Sequence, residues 1–242
     1  MLKPYRMDLH IHTCLSPCGM PENVPSRITA RARDRNLQVI GVTDHNASEN
    51  VISVRRAAAR SGVAVLGGME ITTEEEIHVL AIFDNDDNLA RMQKLVYENL
   101  PGRNDPAAFG EQYIVDEEDY AVGRNDRLLM GATVLPVGRT VHAIHEHGGL
   151  AVAAHIDRDS FSILSQLGMI PDDLELDGVE LSVNHEKSRF DLDVGLPQMH
   201  FSDAHFTEEI GRAYTTFMLE AVSVEDIREA LAIGQDRCIP GP

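Results

Sequence analysis

No stretch of this sequence is both long and apolar; nothing approaches the roughly 18 to 20 apolar residues that a membrane span needs, so no membrane partner is expected. There is no run of Lys or Arg either. The chain sets 21 basic against 39 acidic residues, a formal net charge of −18 with histidine neutral. A field of that sign repels polyphosphate strands unless basic groups gather locally, so no long nucleic acid is expected as a partner. Three cysteines (Cys14, Cys18, Cys238) are too few for a disulfide framework. Met1 to Arg6 lack the apolar segment of a signal peptide, and the cytoplasm is the expected compartment. No glycine-rich phosphate fingerprint opens a helix, because Gly67-Gly68 falls inside a strand candidate; a dinucleotide fold is thereby disfavoured. Internal repeats and low-complexity tracts are absent.

What is present is the rhythm of a β/α protein. Short apolar runs at 7–12, 38–44, 64–71, 76–83, 150–156, 178–183, 198–203 and 214–219 read as strands. Amphipathic stretches at 26–36, 49–61, 86–99, 139–147 and 223–233 read as helices, with Ser26 and Ser223 placed as N-caps and Gly62, Gly148 and Gly234 as C-caps. Residues 101–138 interrupt this pattern with Pro101, Pro106, the acidic run Asp116 to Asp119 and the turn-like Gly123 to Asp126, and read as an insertion with hairpin character. Repeated strand–helix units without a phosphate fingerprint favour a β/α barrel over 1–242 as a single domain.

The stretch DLHIHTCLSPCG (8–19) places His10 and His12 two residues apart, on one face of a strand, with Leu9 and Ile11 expected to turn toward covering helices. Further metal-capable residues stand at other strand ends: Asp44-His45, Glu70, His155 and Asp203-x-His205, with His78 in the strand after Glu70. In a β/α barrel the carboxyl ends of the strands converge on one face, and imidazoles and carboxylates gathered there suit a group of divalent ions.

These segments resemble the successive motifs of the PHP (polymerase and histidinol phosphatase) family: Asp8-Leu9-His10-Ile11-His12-Thr13, Thr43-Asp44-His45-Asn46, Gly68-Met69-Glu70, Ala154-His155 and Ser202-Asp203-Ala204-His205. The resemblance implies a distorted seven-stranded β/α barrel and metal-dependent phosphoester hydrolysis, with two or three divalent ions (zinc, manganese or iron). By position it implies that His10, His12, Glu70 and Asp203 hold one ion, that Glu70 bridges to a second held by His78 and His155, and that His45 and His205 hold a third. Relatives supply one more ligand just after the H-x-H pair; here Cys18 stands at that place, and its thiolate is expected to complete the third site. Glu70, Asp203 and His205 are then the expected catalytic residues, and Arg158 and Arg212 the expected substrate-phosphate contacts. A small phosphorylated metabolite or nucleotide is the expected substrate. An exonuclease acting on short oligonucleotides and a non-catalytic metal-binding regulatory domain are the alternatives. Asp8 and Asp44 are expected to orient ligand histidines. His142, His145 and His147 are read as a solvated helix face, His185 and His200 as surface residues, and Cys14 as packing.

Overall fold

The computed structural model describes residues 1–241. In chain order the elements are β1 (Lys3–Ile11), α1 (Pro25–Asp34), β2 (Val39–Val42), α2 (Val51–Ala58), β3 (Ala64–Thr72), β4 (His78–Phe83), α3 (Asp86–Glu98), α4 (Pro106–Phe109), β5 (Tyr113–Val115), β6 (Ala121–Arg124), α5 (Val137–Glu146), β7 (Leu150–Ala153), α6 (Ile163–Leu167), β8 (Gly178–Leu181), β9 (Gln198–His200), β10 (Thr215–Leu219), α7 (Val224–Ile233) and β11 (Cys238–Pro240). Among the described residues no helix is long and apolar enough to cross a membrane.

The main sheet has nine strands in the order β11-β10-β1-β2-β3-β4-β7-β8-β9, not the expected seven. Strands β10 and β11 extend it antiparallel beyond β1, and β4 runs antiparallel to both neighbours. The sheet curls until the chain after β9 reaches β1. There His12 N donates to Ala204 O (3.0 Å) and Ala204 N to His10 O (3.1 Å), so the barrel is nearly closed at its mouth.

Alternation along the strands sorts the apolar residues into two layers. Ile40, Val65, Val79, Ala81, Phe83, Val179 and Leu181 face outward and pack with α1, α2, α3, α5 and α6. Val39, Leu66, Leu80, Ile82, Val152 and Phe217 face inward, with Val224, Ile227 and Leu231 of α7 packed against them. Ser223 caps α7 as expected, accepting from Asp226 N. The cap of α1 differs: Val24 precedes Pro25 at the first turn, and Ser26 bonds Asp119 instead. Proline fills the position whose N–H needs no partner, so no serine cap is required there.

Strand β1 departs from strict alternation. Leu9 joins the inner layer and Ile11 the outer one, whereas both were expected to face the helices. The pairing with β2 shifts register between Asp8 and Ile11. Such an irregularity re-aims side chains, and here it stacks His10 and His12 on the same inner side as Leu9. The displaced backbone comes close to β2: a Cβ on Gly41 would stand 2.5 Å from Leu9 O and 2.7 Å from Leu9 Cα. Gly41→Ala should therefore destabilise the fold by about 1–3 kcal/mol, the usual range for overpacking. Thermal unfolding of the metal-free protein checks this, and an unchanged midpoint would contradict the close approach.

Residues 101–135 carry α4 and the β5–β6 hairpin, which pairs apart from the main sheet. The segment lies against the loops that follow β1 and β2. Asn46 Nδ2 donates to Leu129 O and Gly131 O (2.9 Å each), and Asn50 joins Thr13 Oγ1, Tyr113 O and Val115 N.

Candidate metal centre

Inward-facing positions change character along the barrel axis. On β3 the residue two beyond Gly68 is Glu70; on antiparallel β4, His78 precedes inward-facing Leu80 and pairs with Thr72. Glu70 and His78 therefore arrive at the same end. His10 and His12 come from β1, His45 from the loop after β2, His155 from the end of β7, and Asp203 and His205 from the chain after β9. His155 (φ 31°) and Asp203 (φ 46°) occupy left-handed backbone conformations. Strain of that kind gathers at functional sites.

Glu70 lies at the centre. Its Oε1 is 2.7 Å from His78 Nδ1, 3.1 Å from His155 Nε2 and 3.5 Å from His10 Nε2; its Oε2 is 3.0 Å from His45 Nδ1 and 3.4 Å from His12 Nε2. Asp203 Oδ1 stands 3.2 Å from both His10 Nε2 and His12 Nε2. Three overlapping sets of donors result: His10, His12, Glu70 and Asp203; His45, Glu70 and His78; and His12, Cys18, His45 and His205.

The hydrogen bonds around His12 decide which nitrogen is bare. Ser16 Oγ donates to Asp44 Oδ1 (2.7 Å) and accepts from His45 N (3.1 Å), so its contact with His12 Nδ1 (2.9 Å) uses a proton from the imidazole. His12 Nε2 then carries a lone pair. It faces Asp203 Oδ1 at 3.2 Å and Glu70 Oε2 at 3.4 Å, acceptors all. Glu70 Oε2 and His45 Nδ1, though close, are buried without hydrogen-bond partners, as is His155 Nδ1. Buried acceptors aimed at one another require a cation between them. The donor set fits divalent metal ions.

In the metal-free protein, protons supply that charge. Burial would lower the basicity of His10, but Glu180, Asp203 and Glu70 hold it well above its ordinary value. Burial likewise opposes ionisation of Glu70, yet His78, His10 and His45 keep its carboxyl well below the usual range. Burial also works against a Cys18 thiolate, but the charge of His45 and hydrogen bonds to His205 and His45 bring the thiol down to about 5. His205 is raised to about 9 against the effect of burial, by the Cys18 hydrogen bond and by Asp203.

The structure brings together His10, His12, Cys18, His45, Glu70, His78, His155, Asp203 and His205. Arg158 joins the edge, its Nη2 2.6 Å from Asp203 Oδ2. Arg212 does not: it pairs with Glu209 and, among the described residues, makes no hydrogen bond or ion pair to the cluster. Asp44 holds His12 only through Ser16, and Asp8 holds no histidine. Its carboxylate binds Ser202 N, Ser202 Oγ and Gly211 N, and so fixes the loop that delivers Asp203. His142 and His145 pair with Glu146 and Asp177, away from the site. The rings of His185 and His200 lie 4.6 Å apart, tilted by 49°.

Glu180 escaped the sequence reading. Fully buried on β8, it accepts from His10 Nδ1 (2.9 Å) and His155 N (3.2 Å) and so orients two candidate ligands. The signal was a carboxylate between Val179 and Leu181, which face outward, so that residue 180 had to face the barrel interior. Glu180→Gln should weaken metal binding by about 10- to 100-fold while the fold persists, as loss of a ligand's hydrogen-bond partner does. Titration of metal-free protein would show this, and an unchanged affinity would remove the role.

A barrel whose mouth is lined by imidazoles and carboxylates defines a class of metal-site proteins, and comparisons with known proteins narrow it to a family. The PHP domain model matches residues 8–158 and the PHP-associated model residues 194–235. The chain belongs to the PHP family. Uncharacterized protein MJ1587 of Methanocaldococcus jannaschii is 30% identical over 185 residues, which cover 73% of this chain and 80% of that protein. The crystal structure of a lesion-specific endonuclease from Pyrococcus furiosus is similar over 98% of this chain (TM-score 0.67, 18% identity), and this chain spans 58% of that protein. A two-domain protein from Bacteroides vulgatus containing a PHP-like metal-dependent phosphoesterase is similar over 99% of this chain and 65% of its own (TM-score 0.58, 18% identity).

One of these likenesses corrects the reading from charge. Endonuclease Q in complex with a 27-mer duplex bearing an abasic lesion has the same fold over 96% of this chain (TM-score 0.68, 16% identity). That neighbour, which shares this fold, receives long nucleic acid, so a net charge of −18 is no ground for expecting no such partner here. Net charge sums the whole surface, while binding answers to the local field at the mouth, where metal ions would be the largest charges.

Proposed function

We propose that the protein is a metal-dependent phosphoesterase acting on a nucleotide or nucleic-acid phosphoester. The convergence of ring nitrogens and carboxylate oxygens on Glu70, in a cluster flanked by Arg158, is the observation that carries this reading. Bound divalent ions would lower the pKa of a water molecule and offset charge on the phosphate oxygens.

The chain's own residues have separable tasks. Glu70 presents one oxygen to each side of the cluster and would help to hold an ion on either side. Asp203 ties His10 and His12 to the guanidinium of Arg158, whose side chain is 41% exposed. A planar fork of that kind suits a phosphate. Burial of the ligand imidazoles, most of them less than a tenth exposed, excludes competing water.

Two observations support the nucleotide or nucleic-acid reading. An open cleft of about 350 Å³ adjoins Arg158, and the lesion-specific endonuclease shares the fold. The non-catalytic alternative makes a different forecast, metal without turnover. The test is elemental analysis of metal-replete protein together with a panel of phosphomonoesters, phosphodiesters, single strands and duplexes. Two or three ions per chain with turnover of at least one class supports the proposal. Fewer than one ion, or full loading with no turnover, overturns it.

A further inference from the structure

The cleft beside Arg158 lies between two loops at the mouth of the barrel, one following β7 and the other following β8. It is lined by Asp157, Arg158 and Asp159 on one side and by Asn184, Lys187 and Arg189 on the other, with serines 160, 182 and 188 between them. The loops are fastened together. Asp157 accepts from Ser182 N (2.8 Å) and Ser182 Oγ (2.6 Å), and Ser188 Oγ donates to Asp157 O (2.9 Å). Asp157 is thus engaged by Ser182 and turned away from the role of a free surface anion.

The cations are arranged differently. Arg158 is tied to Asp203 of the cluster at 2.6 Å. Arg189 pairs with Asp159 through Nε at 2.7 Å, a contact between side chains 68% and 75% exposed. Exposed pairs of this kind contribute little and yield readily to a better-placed anion. Lys187 has no ion pair among the described residues. Its placement stands out in a chain with only three lysines (Lys3, Lys94, Lys187) and a net charge of −18. Three cations thus line the cleft from its two sides, and the innermost, Arg158, also touches Asp203 of the cluster.

We propose that this cleft is a second anion subsite, in which Lys187 and Arg189 hold a phosphate neighbouring the one hydrolysed at the metal cluster. The preferred substrate then carries two phosphates within one nucleotide-sized span, and Arg158 lies between them. A cleft of about 350 Å³ accommodates a phosphorylated sugar or nucleoside unit, and the Ser160 hydroxyl and Asn184 amide add donors for phosphate oxygens. The inference rests on the phosphoesterase reading for its reaction and on the cleft alone for its binding.

The test compares a thymidine dinucleotide with one phosphodiester (TpT) and the same dinucleotide bearing an additional 5′-phosphate (pTpT), on manganese- or zinc-loaded protein. Wild type should favour pTpT by about tenfold or more in kcat/KM, and Lys187→Ala/Arg189→Ala together should bring the ratio to within about twofold. A sugar bisphosphate and its monophosphate form a second pair. Discrimination in both pairs supports a general two-phosphate subsite, and discrimination confined to the dinucleotides supports a nucleic-acid strand as the source. No preference in wild type, or an unchanged preference in the double variant, overturns the subsite. If wild type turns over none of these compounds, the phosphoesterase reading fails. Calorimetry then judges the cleft: pTpT binding about tenfold tighter than TpT, lost in the double variant, upholds the subsite, and equal binding removes it. Circular dichroism and metal content establish that the double variant is folded and loaded.

Discussion

Glu70→Gln should lower phosphoester turnover by about three orders of magnitude, the scale on which removal of a principal electrostatic group acts in catalysis. The side-chain volume is kept, so packing of Met69 and Ile71 in the outer layer is undisturbed and the fold should survive. One Glu70 oxygen gives way to an amide NH2, which donates and cannot ligate as a carboxylate does. With Oε1 near His78 and His155 and Oε2 near His45 and His12, the substitution breaks one side of the cluster whichever way the amide turns. Metal content should fall along with activity. Near wild-type turnover with full metal content would show that Glu70 does not bridge.

The placement of Glu70 was readable from sequence because a charged residue inside an apolar strand has few places to go. The same holds for His10, His12, His155, Asp203 and His205, each standing at the end of an apolar run. Two things were not readable. The register shift in β1 depends on how Leu9 meets Gly41 across the sheet, a tertiary fact that strict alternation misses and that reversed the expectation for Leu9. The family resemblance implied seven strands and the apolar runs marked eight; the ninth, β11, three residues long, pairs with the edge that β10 offers, and Cys238–Pro240 has no strong strand signal of its own. Glu180 was overlooked because a single carboxylate announces nothing until its partners, His10 and His155, are known to sit opposite. Net charge misled most. It is a property of the whole chain and says nothing of where the cations lie; Arg158, Lys187 and Arg189 line one cleft beside the cluster.

Cys18→Ala should remove about one metal ion per chain, because it takes the only sulfur from the set His12, Cys18, His45 and His205. Three imidazoles would remain, but two of them are shared with neighbouring sets, so the lost thiolate leaves the third position short of donors. Cys18→His should restore the stoichiometry. Cobalt-loaded wild type should show thiolate-to-metal charge-transfer absorption in the near ultraviolet, and Cys18→Ala should lack it. An unchanged metal count in Cys18→Ala, or no such band in wild type, would exclude the sulfur from the site. A thiolate at this place also makes loading sensitive to oxidants, since sulfenic acid formation removes the ligand.

The hydrogen bonds from Asn46 to Leu129 and Gly131 give the 101–135 segment an evolutionary consequence. Surface loops ordinarily absorb insertions and deletions at little cost. This one is clamped to the residue that follows His45, and through Asn50 to Thr13, one residue past His12. A change of length between 125 and 133 would be transmitted to two candidate ligands at once. Lineages of this protein should therefore vary more at the hairpin tip, Asp119 with its bond to Ser26 apart, while the stretch around 129–131 keeps its spacing for as long as the metal cluster is kept.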